Sequence, residues 1–275
     1  MWERSIDDRG DRHSLLASLL VSLANFLTQK GEAEMGSVIA DSWKVFRLLV
    51  LGLVAWLVPE RLWYSLCRLF ARISPGVVSG RGTSQMPAYL AHLAGVGSRR
   101  AAIDCRANLH RDTVEVLRCH RPGGWSPKID LVGEEYLVAA IRDGHGAIIW
   151  VADFASASLV AKMALARRGY EVGHLSRPDH GFSRTPFGVR FLNPVRRSIE
   201  DRYLEKRVMM IPDERSLALR RLRRRLSEGK LISVTVGRDG TQTVTVGFFN
   251  TVLELPTGPV TLSRATLAPL LPLFW

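Results

Sequence analysis

Residues 144–178 read GHGAIIWVADFASASLVAKMALARRGYEVGHLSRP, and this stretch decides the fold. The apolar run Ala147–Val151 is short and follows glycines, which predicts a buried strand. A helical pattern covers Ser156–Arg168, and the apolar run Glu171–Leu175 predicts a second strand. A strand, a helix and a strand in direct succession form a βαβ unit, whose two strands are parallel.

The same alternation of strands and helices continues along the rest of the chain. Further strands are predicted at Arg207–Ile211, Leu231–Val236 and Leu270–Phe274. Helices are predicted at Ala101–Cys119, Gly133–Arg142, Ser198–Lys206, Arg215–Glu228 and Gly258–Thr266. This order predicts the α/β class, with a mixed, largely parallel sheet flanked by helices and preceded by an N-terminal membrane-associated helical segment.

The membrane prediction comes from the segment WKVFRLLVLGLVAWLV at residues 43–58. Its uncharged part is shorter than the ~20 residues of a spanning helix, but Lys44 and Arg47 can extend it by reaching headgroups. Pro59 ends or kinks this helix, and an amphipathic helix follows it. The alternative is two buried helices of a soluble domain. The predicted organisation is a helical membrane-associating region at 1–74, a connector and helix at 75–128, and an α/β core at 129–275.

The chain is strongly basic, with a formal charge of +12, and therefore attracts polyanions. Five arginines lie on one predicted helix around an apolar stripe of Leu219, Leu222 and Leu226. They are Arg220, Arg221, Arg223, Arg224 and Arg225. Anionic membrane lipid or glycolipid is the predicted partner. A solvated helix face and nucleic-acid binding are the alternatives, although the aromatic residues lie in apolar runs unlike those of a single-strand binder.

The cysteines predict neither a disulfide framework nor a metal site. Cys67, Cys105 and Cys119 are odd in number, widely spaced and without a CxxC pair. Three reduced thiols in a cytoplasmic compartment are therefore expected.

Three stretches carry a resemblance to a known family. They are the opening stretch, ALRRLRRRLSEGKLISVTVGRDG at 218–240, and VGFFNTVLELPTGPVTLSRATLAPLLPLF at 246–274. Together they resemble the lipid A lauroyl/myristoyl acyltransferases, a branch of the lysophospholipid acyltransferase family. The resemblance implies transfer of an acyl chain from an acyl-carrier-protein or coenzyme A thioester to a glycolipid hydroxyl. It also implies the cytoplasmic face of the inner membrane and no bound cofactor.

The catalytic motif of that family is altered in this chain. There, a histidine follows the first strand and an acidic residue follows five positions later. The imidazole takes the proton of the attacking hydroxyl, and the carboxylate orients the ring. Alignment of VADFASASL puts Asp153 at the histidine position and Ser158 at the acidic position. Very weak acyl transfer, or none, is expected, and the alternative function is a non-catalytic lipid-binding pseudoenzyme.

Other residues could take part in the site. Among the nearby histidines His145, His174 and His180, the first two are the alternative bases. Arg177 and Asp239 match a substrate-binding arginine and an acidic residue at a strand end in the family. Their alternatives are a surface arginine at a turn and an Asp-Gly turn residue. Family members continue beyond the last predicted strand, so the core is expected to be short at the C-terminus.

Overall fold

The computed structural model describes residues 32–74, 98–152, 156–235, 242–248 and 251–275. Its helices are α1 (Glu32–Leu57), α2 (Trp63–Arg72), α3 (Ser98–Arg118), α4 (Glu134–Arg142), α5 (Ala157–Arg167), α6 (Asn193–Glu200), α7 (Arg215–Ser227) and α8 (Gly258–Thr266). Its strands are β1 (Ala147–Val151), β2 (Val172–Ser176), β3 (Lys206–Met209), β4 (Leu231–Thr235), β5 (Thr243–Phe248), β6 (Thr251–Pro256) and β7 (Leu270–Leu273).

Five of these strands form one sheet in the order β3-β2-β4-β1-β7, and every neighbouring pair is parallel. Parallel neighbours need crossover connections, which α5, α6, α7 and α8 supply. Strands β5 and β6 form a separate antiparallel hairpin. The prediction of an α/β fold with a largely parallel sheet flanked by helices is confirmed.

The sheet separates two apolar cores. On one face, Ile149 and Val151 of β1 pack with the inner side of α5. On the other face, Ile148 packs with α7 and α8. The outer side of α5 contributes Met163 to a third core, formed with α1, α2 and α3. Because apolar layers cover both of its sides, α5 is buried along most of its length.

Helix α1 ends where the sequence predicts, just before Pro59, since a residue preceding proline disfavours helical geometry. Two donors satisfy carbonyl groups at this end. Trp63 Nε1 donates to the Val58 carbonyl at 3.0 Å, and an Arg118 N–H donates to the Ala55 carbonyl at 3.0 Å. No helix in the described ranges is both long enough and apolar enough to cross a bilayer.

Helices α1 and α2, together with the residues that flank α2, leave several large apolar side chains exposed, here called the apolar face. Its members are between 46% and 75% exposed, and they are Phe46, Leu49, Leu53, Leu57, Leu62, Leu69 and Ile73. Their spacing on α1 follows one side of a helix. Leu51, Ala55 and Cys67 lie on the opposite sides of these helices and are buried.

Two sequence expectations need correction. The predicted helix Ser198–Lys206 is wrong in its bounds, because α6 begins at Asn193 and ends at Glu200. Pro194, in its first turn, suits a helix start. A turn and β3 then occupy Asp201–Met209. The hairpin β5–β6 was not predicted, although its residues alternate in polarity.

Candidate active site

The carboxyl ends of β1, β2 and β4 meet at one edge of the sheet, here called the carboxyl edge. From β2 the chain continues outward to β3, whereas from β4 it continues in the opposite direction towards β7. In open parallel sheets, ligands bind outside the carboxyl ends where neighbouring connections diverge in this way. The fold therefore favours a site at this edge.

The residues predicted to correspond to the catalytic motif, Asp153 and Ser158, follow β1 along the chain. Asp153 lies outside the described residues, while Ser158 lies in the first turn of α5. Ser156, just before the helix, has a φ of 67°, a left-handed conformation that is uncommon and costly for a residue other than glycine. The helix thus begins abruptly after β1, and its first backbone N–H groups can donate to an anion at the carboxyl edge.

Arg177 comes directly after β2, at the same edge. Its guanidinium forms two hydrogen bonds with Asp179, Nε to Oδ1 at 2.9 Å and Nη2 to Oδ2 at 2.8 Å. The guanidinium is therefore already paired with a carboxylate of its own loop. Asp239, the other predicted substrate-binding residue, lies outside the described residues.

The three nearby histidines lie in different places. His145 is exposed and precedes β1, so it lies at the opposite edge of the sheet. His174 is buried in the middle of β2 with Nδ1 2.9 Å from Ser233 Oγ, and burial holds its pKa well below the ordinary value. His180 lies in the loop after β2, and its side chain is 27% exposed. Of these three, His180 is the one that follows the carboxyl end of a strand of the sheet.

A buried carboxylate, Glu200, binds His180 and organises the polar interior. Its Oε2 accepts hydrogen bonds from Lys162 Nζ at 3.0 Å, His180 Nε2 at 2.9 Å and Arg207 Nη2 at 3.0 Å. Its Oε1 accepts from Arg196 Nε at 2.9 Å. The partners come from α5, the loop after β2, β3 and α6, so this one side chain joins four parts of the core.

The charges of this network balance. Arg196 also pairs with Asp112, and Arg207 with Asp201, so three carboxylates face three fixed cations. Burial acts to raise the pKa of Glu200, but Lys162, His180 and Arg196 outweigh it and hold that pKa well below the ordinary value. Burial lowers the pKa of Lys162 to about 8 although Glu200 opposes the shift. Lys162 therefore remains mostly protonated at neutral pH.

Lys162 connects this network to Ser158, one of the two residues aligned with the predicted motif. Its Nζ donates to Ser158 Oγ at 2.8 Å. An ammonium therefore lies beside the position that the predicted alignment gives to the acidic residue of the acyltransferase family. A cavity of about 10 Å³, lined by Ser158, Lys162, His174 and Ser233 among others, lies next to it. That volume is close to the minimum for one water molecule. A larger ligand must therefore bind outside this cavity.

A second polar cluster ties α1 to the loop after β2. Ser183 Oγ donates to the buried carboxylate of Asp41 at 3.0 Å, and Thr185 Oγ1 also donates to it. Lys44 Nζ donates to Asp41 at 2.7 Å and to Ser183 Oγ at 2.8 Å. The helix that carries part of the apolar face is thus bonded directly to the loop that carries Arg177.

The loop itself is held by Asn193 at the start of α6. Asn193 Oδ1 accepts from the Ser183 N–H at 2.9 Å, and Nδ2 donates to the carbonyls of Asp179 and Ser183. Gly181 has a φ of 146°, and a Cβ there would lie 2.4 Å from the Asn193 side chain. Only glycine fits this close approach without a shift of the loop.

The predicted arginine helix is confirmed as α7, but its faces differ from the expectation. Arg225 is buried and pairs with Glu205, whereas Leu219 is 40% exposed. The prediction that all five arginines surround the buried stripe is therefore wrong for Arg225. The exposed basic face consists of Arg220, Arg221, Arg223 and Arg224.

The buried carboxyl group of Glu115, on α3, gives a prediction about how stability depends on pH. Burial raises its pKa to about 7 although Ser156 and Arg111 lower it, and its Oε2 has no hydrogen-bond partner. In the unfolded chain this carboxyl has an ordinary pKa of 4.5. Between pH 4.5 and about pH 7 the folded protein therefore binds more protons than the unfolded protein. Stability therefore falls as the pH rises through this window, by up to about 3 kcal/mol.

We expect Glu115→Gln to remove this loss. Urea unfolding should give the variant a stability advantage over wild type that grows by up to about 3 kcal/mol between pH 4.5 and pH 8. Glu135→Gln, at an exposed position of α4, serves as the control and should change little. An advantage independent of pH would mean that Glu115 stays ionised beside Arg111 throughout.

Sequence reasoning singled out Ser158 and Arg177 as candidates, and it did not identify the buried network of Glu200, Lys162, Arg196 and Arg207. A weak signal was present, since a lysine within the apolar helix ASLVAKMALA requires a buried partner. The partner could not be identified because it lies 38 residues away. In comparisons with protein-family models and with curated proteins, no match to this chain was found. The likeness to acyltransferases therefore remains a prediction from the quoted residues.

Proposed function

We propose that this is a membrane-associated acyltransferase-like protein. It binds an acyl thioester and a glycolipid hydroxyl of the lipid A type at the carboxyl edge, and transfers the acyl chain weakly. The proposed donor is an acyl-carrier-protein or coenzyme A thioester, with no bound cofactor. The proposed location is the cytoplasmic face of the inner membrane.

The observation that carries this proposal is the left-handed conformation of Ser156, at the start of α5. In acyl transfer the hydroxyl oxygen attacks the thioester carbonyl as a base removes its proton, and the thiolate leaves from the resulting oxyanion. Backbone N–H groups at a helix start are suited to hold that oxyanion. The conformation of Ser156 starts α5 at this edge, beside the segment that contains Asp153.

Membrane association is supported by the apolar face and by its attachment to the site. Monomeric soluble proteins rarely leave a large contiguous apolar patch in water. The cluster of Asp41, Ser183 and Thr185 connects α1 with the loop after β2. A lipid held at the apolar face would therefore contact a helix that is hydrogen-bonded to a loop at the carboxyl edge.

We expect the protein to sediment with membranes through the apolar face. The triple change Leu53→Asn, Leu57→Asn and Leu69→Asn should weaken vesicle binding on the order of 100-fold, because each leucine contributes roughly 1 kcal/mol. Because these leucines are exposed, changing them leaves the core intact, whereas deletion of residues 1–74 would remove part of the core. Val132→Asn with Val138→Asn, exposed elsewhere, is the control. Unchanged vesicle binding of the triple variant would refute a role for this face.

Acyl transfer is tested directly with the purified full-length protein, acyl-carrier and coenzyme A thioesters, and a lipid A precursor. Slow formation of acylated glycolipid that stops when the carboxyl edge is altered would support the proposal. The product is measured by mass spectrometry. Absence of transfer together with saturable glycolipid binding would instead favour the second function.

That second function is a non-catalytic lipid-binding protein of the same fold. Its specific support is the hydrogen bond from Lys162 to Ser158. An ammonium at this position disfavours a positively charged base nearby, whereas a carboxylate would stabilise one. Retained glycolipid binding without thioester turnover is the expected result for this function.

A further inference from the structure

Three basic side chains come together where α1, α2 and α3 pack against one another. They are Arg47 of α1 and Arg106 and His110 of α3. Both Arg47 Nε and His110 Nδ1 are buried and have no hydrogen-bond partner. Buried polar atoms in native proteins nearly always have partners, so two unpaired atoms in one cluster require a physical explanation.

The charges of this cluster repel one another. Burial, and then the charge of Arg106, lower the pKa of Arg47. Burial together with the charges of Arg47 and Arg106 lowers the pKa of His110 to about 4, so the imidazole is neutral at pH 7. No carboxylate in the described ranges contributes to either shift. A bound anion would supply the missing negative charge.

The imidazole is held in place by its surroundings. Its Nε2 lies 3.2 Å from Ser74 Oγ, and its ring centroid lies 5.2 Å from that of Phe70, which stacks on Trp43. The Ser74 hydroxyl donates to the Phe70 carbonyl at 3.2 Å, so Nε2–H is the donor to Ser74 Oγ and the neutral ring has its lone pair on Nδ1. The unpaired Nδ1 is therefore a basic atom of fixed position, and an anion bound beside it would favour its protonation.

We infer that Arg47, Arg106 and His110 form a binding site for the phosphate group of a phosphate ester. A guanidinium matches two phosphate oxygens at once, and His110, once protonated on Nδ1, supplies a charged donor. Arg47 and Arg106 are each partly exposed, so the anion can enter from solvent. Phe46, next to Arg47 on α1, and Leu69, next to Phe70 on α2, have exposed side chains, which suits an ester that carries an apolar chain.

The test is titration of the full-length protein with inorganic phosphate, with glycerol phosphate, and with phosphatidylcholine vesicles that contain phosphatidic acid. We expect saturable binding that Arg47→Gln or His110→Gln weakens by about 10- to 100-fold. Arg142→Gln removes the same charge at an exposed position and should have little effect. Nitrogen-15 spectra should show His110 Nδ1 carrying its proton when phosphate is bound.

A second measurement separates binding from structural support. In phosphate-free buffer, Arg47→Gln should have a melting temperature equal to or above that of wild type, because it relieves repulsion, and phosphate should no longer raise it. Binding of the soluble phosphates assigns the site to small phosphate esters. Arg47-dependent binding of the vesicles alone assigns it to a lipid headgroup. Binding of all three probes that is insensitive to Arg47 and His110, or no binding, overturns the inference.

Discussion

The double change Asp153→His with Ser158→Glu is expected to raise acyl transfer by a detectable part of ~10²–10⁴-fold, the usual contribution of a general base. The histidine would supply the base at the motif position. The glutamate would orient the ring and stabilise its charged form. Ser158 lies 2.8 Å from Lys162 Nζ, so the new carboxylate would also pair with that buried ammonium. Product formation from a radiolabelled thioester measures the gain.

Single changes define what each residue contributes. Asp153→His alone should gain less, because an unoriented imidazole adopts unproductive tautomers and angles. Ser158→Glu alone should gain nothing, since it adds no base. If wild type is active and Asp153→Ala abolishes transfer, the aspartate is itself the base. Robust activity that survives Asp153→Ala but is lost in His180→Gln would make the histidine bound to Glu200 the base, and the motif alignment would be wrong.

Glu200→Gln is expected to destabilise the protein by about 3–5 kcal/mol, as measured by urea unfolding at pH 7. The change leaves Lys162, Arg196 and Arg207 with uncompensated positive charge in a buried space. Lys162→Met should cost much less, since Glu200 keeps its other partners and the methionine fills a similar volume. Combined with Lys162→Met, Glu200→Gln should cost less than it does alone.

Glu228→Gln is the matched control for this prediction. Glu228 pairs with Arg224 on the exposed side of α7, and such surface pairs contribute about 0.5 kcal/mol. If Glu200→Gln were as mild as this control, the buried network would not be a determinant of stability. Additive costs of the Lys162 and Glu200 changes would argue against direct coupling between them.

The elements that were predicted well have strong local signals. Strand β1 and helix α8 match the predicted bounds, and β2 differs by one residue at each end. The helix predicted at Ser198–Lys206 failed because RRSIEDRYLEKR is mostly charged and contains neither glycine nor proline as a local stop signal. Pairing of Lys206–Met209 with β2 ends the helix there, and that contact is not local in sequence.

The polar interior was beyond local reasoning for the same reason. Glu200 is one of several charged residues in its segment, and its burial depends on α5, β3 and the loop after β2 meeting around it. In the sequence Arg225 resembles its four arginine neighbours. In the fold it is buried because it pairs with Glu205 and because Gly173 has no side chain to occupy the same space. Such selection among similar residues follows from tertiary packing.

The position of β1 within the sheet has a consequence for biosynthesis. Its neighbours are β4 and β7, which both come much later in the chain. Ala147 pairs with Leu231, so at about 5–20 residues per second β1 emerges from the ribosome roughly 4–17 s before its first partner strand. During that interval the nascent segment AIIWV has two unpaired edges and high β-propensity, which makes it a target for chaperones and a starting point for aggregation.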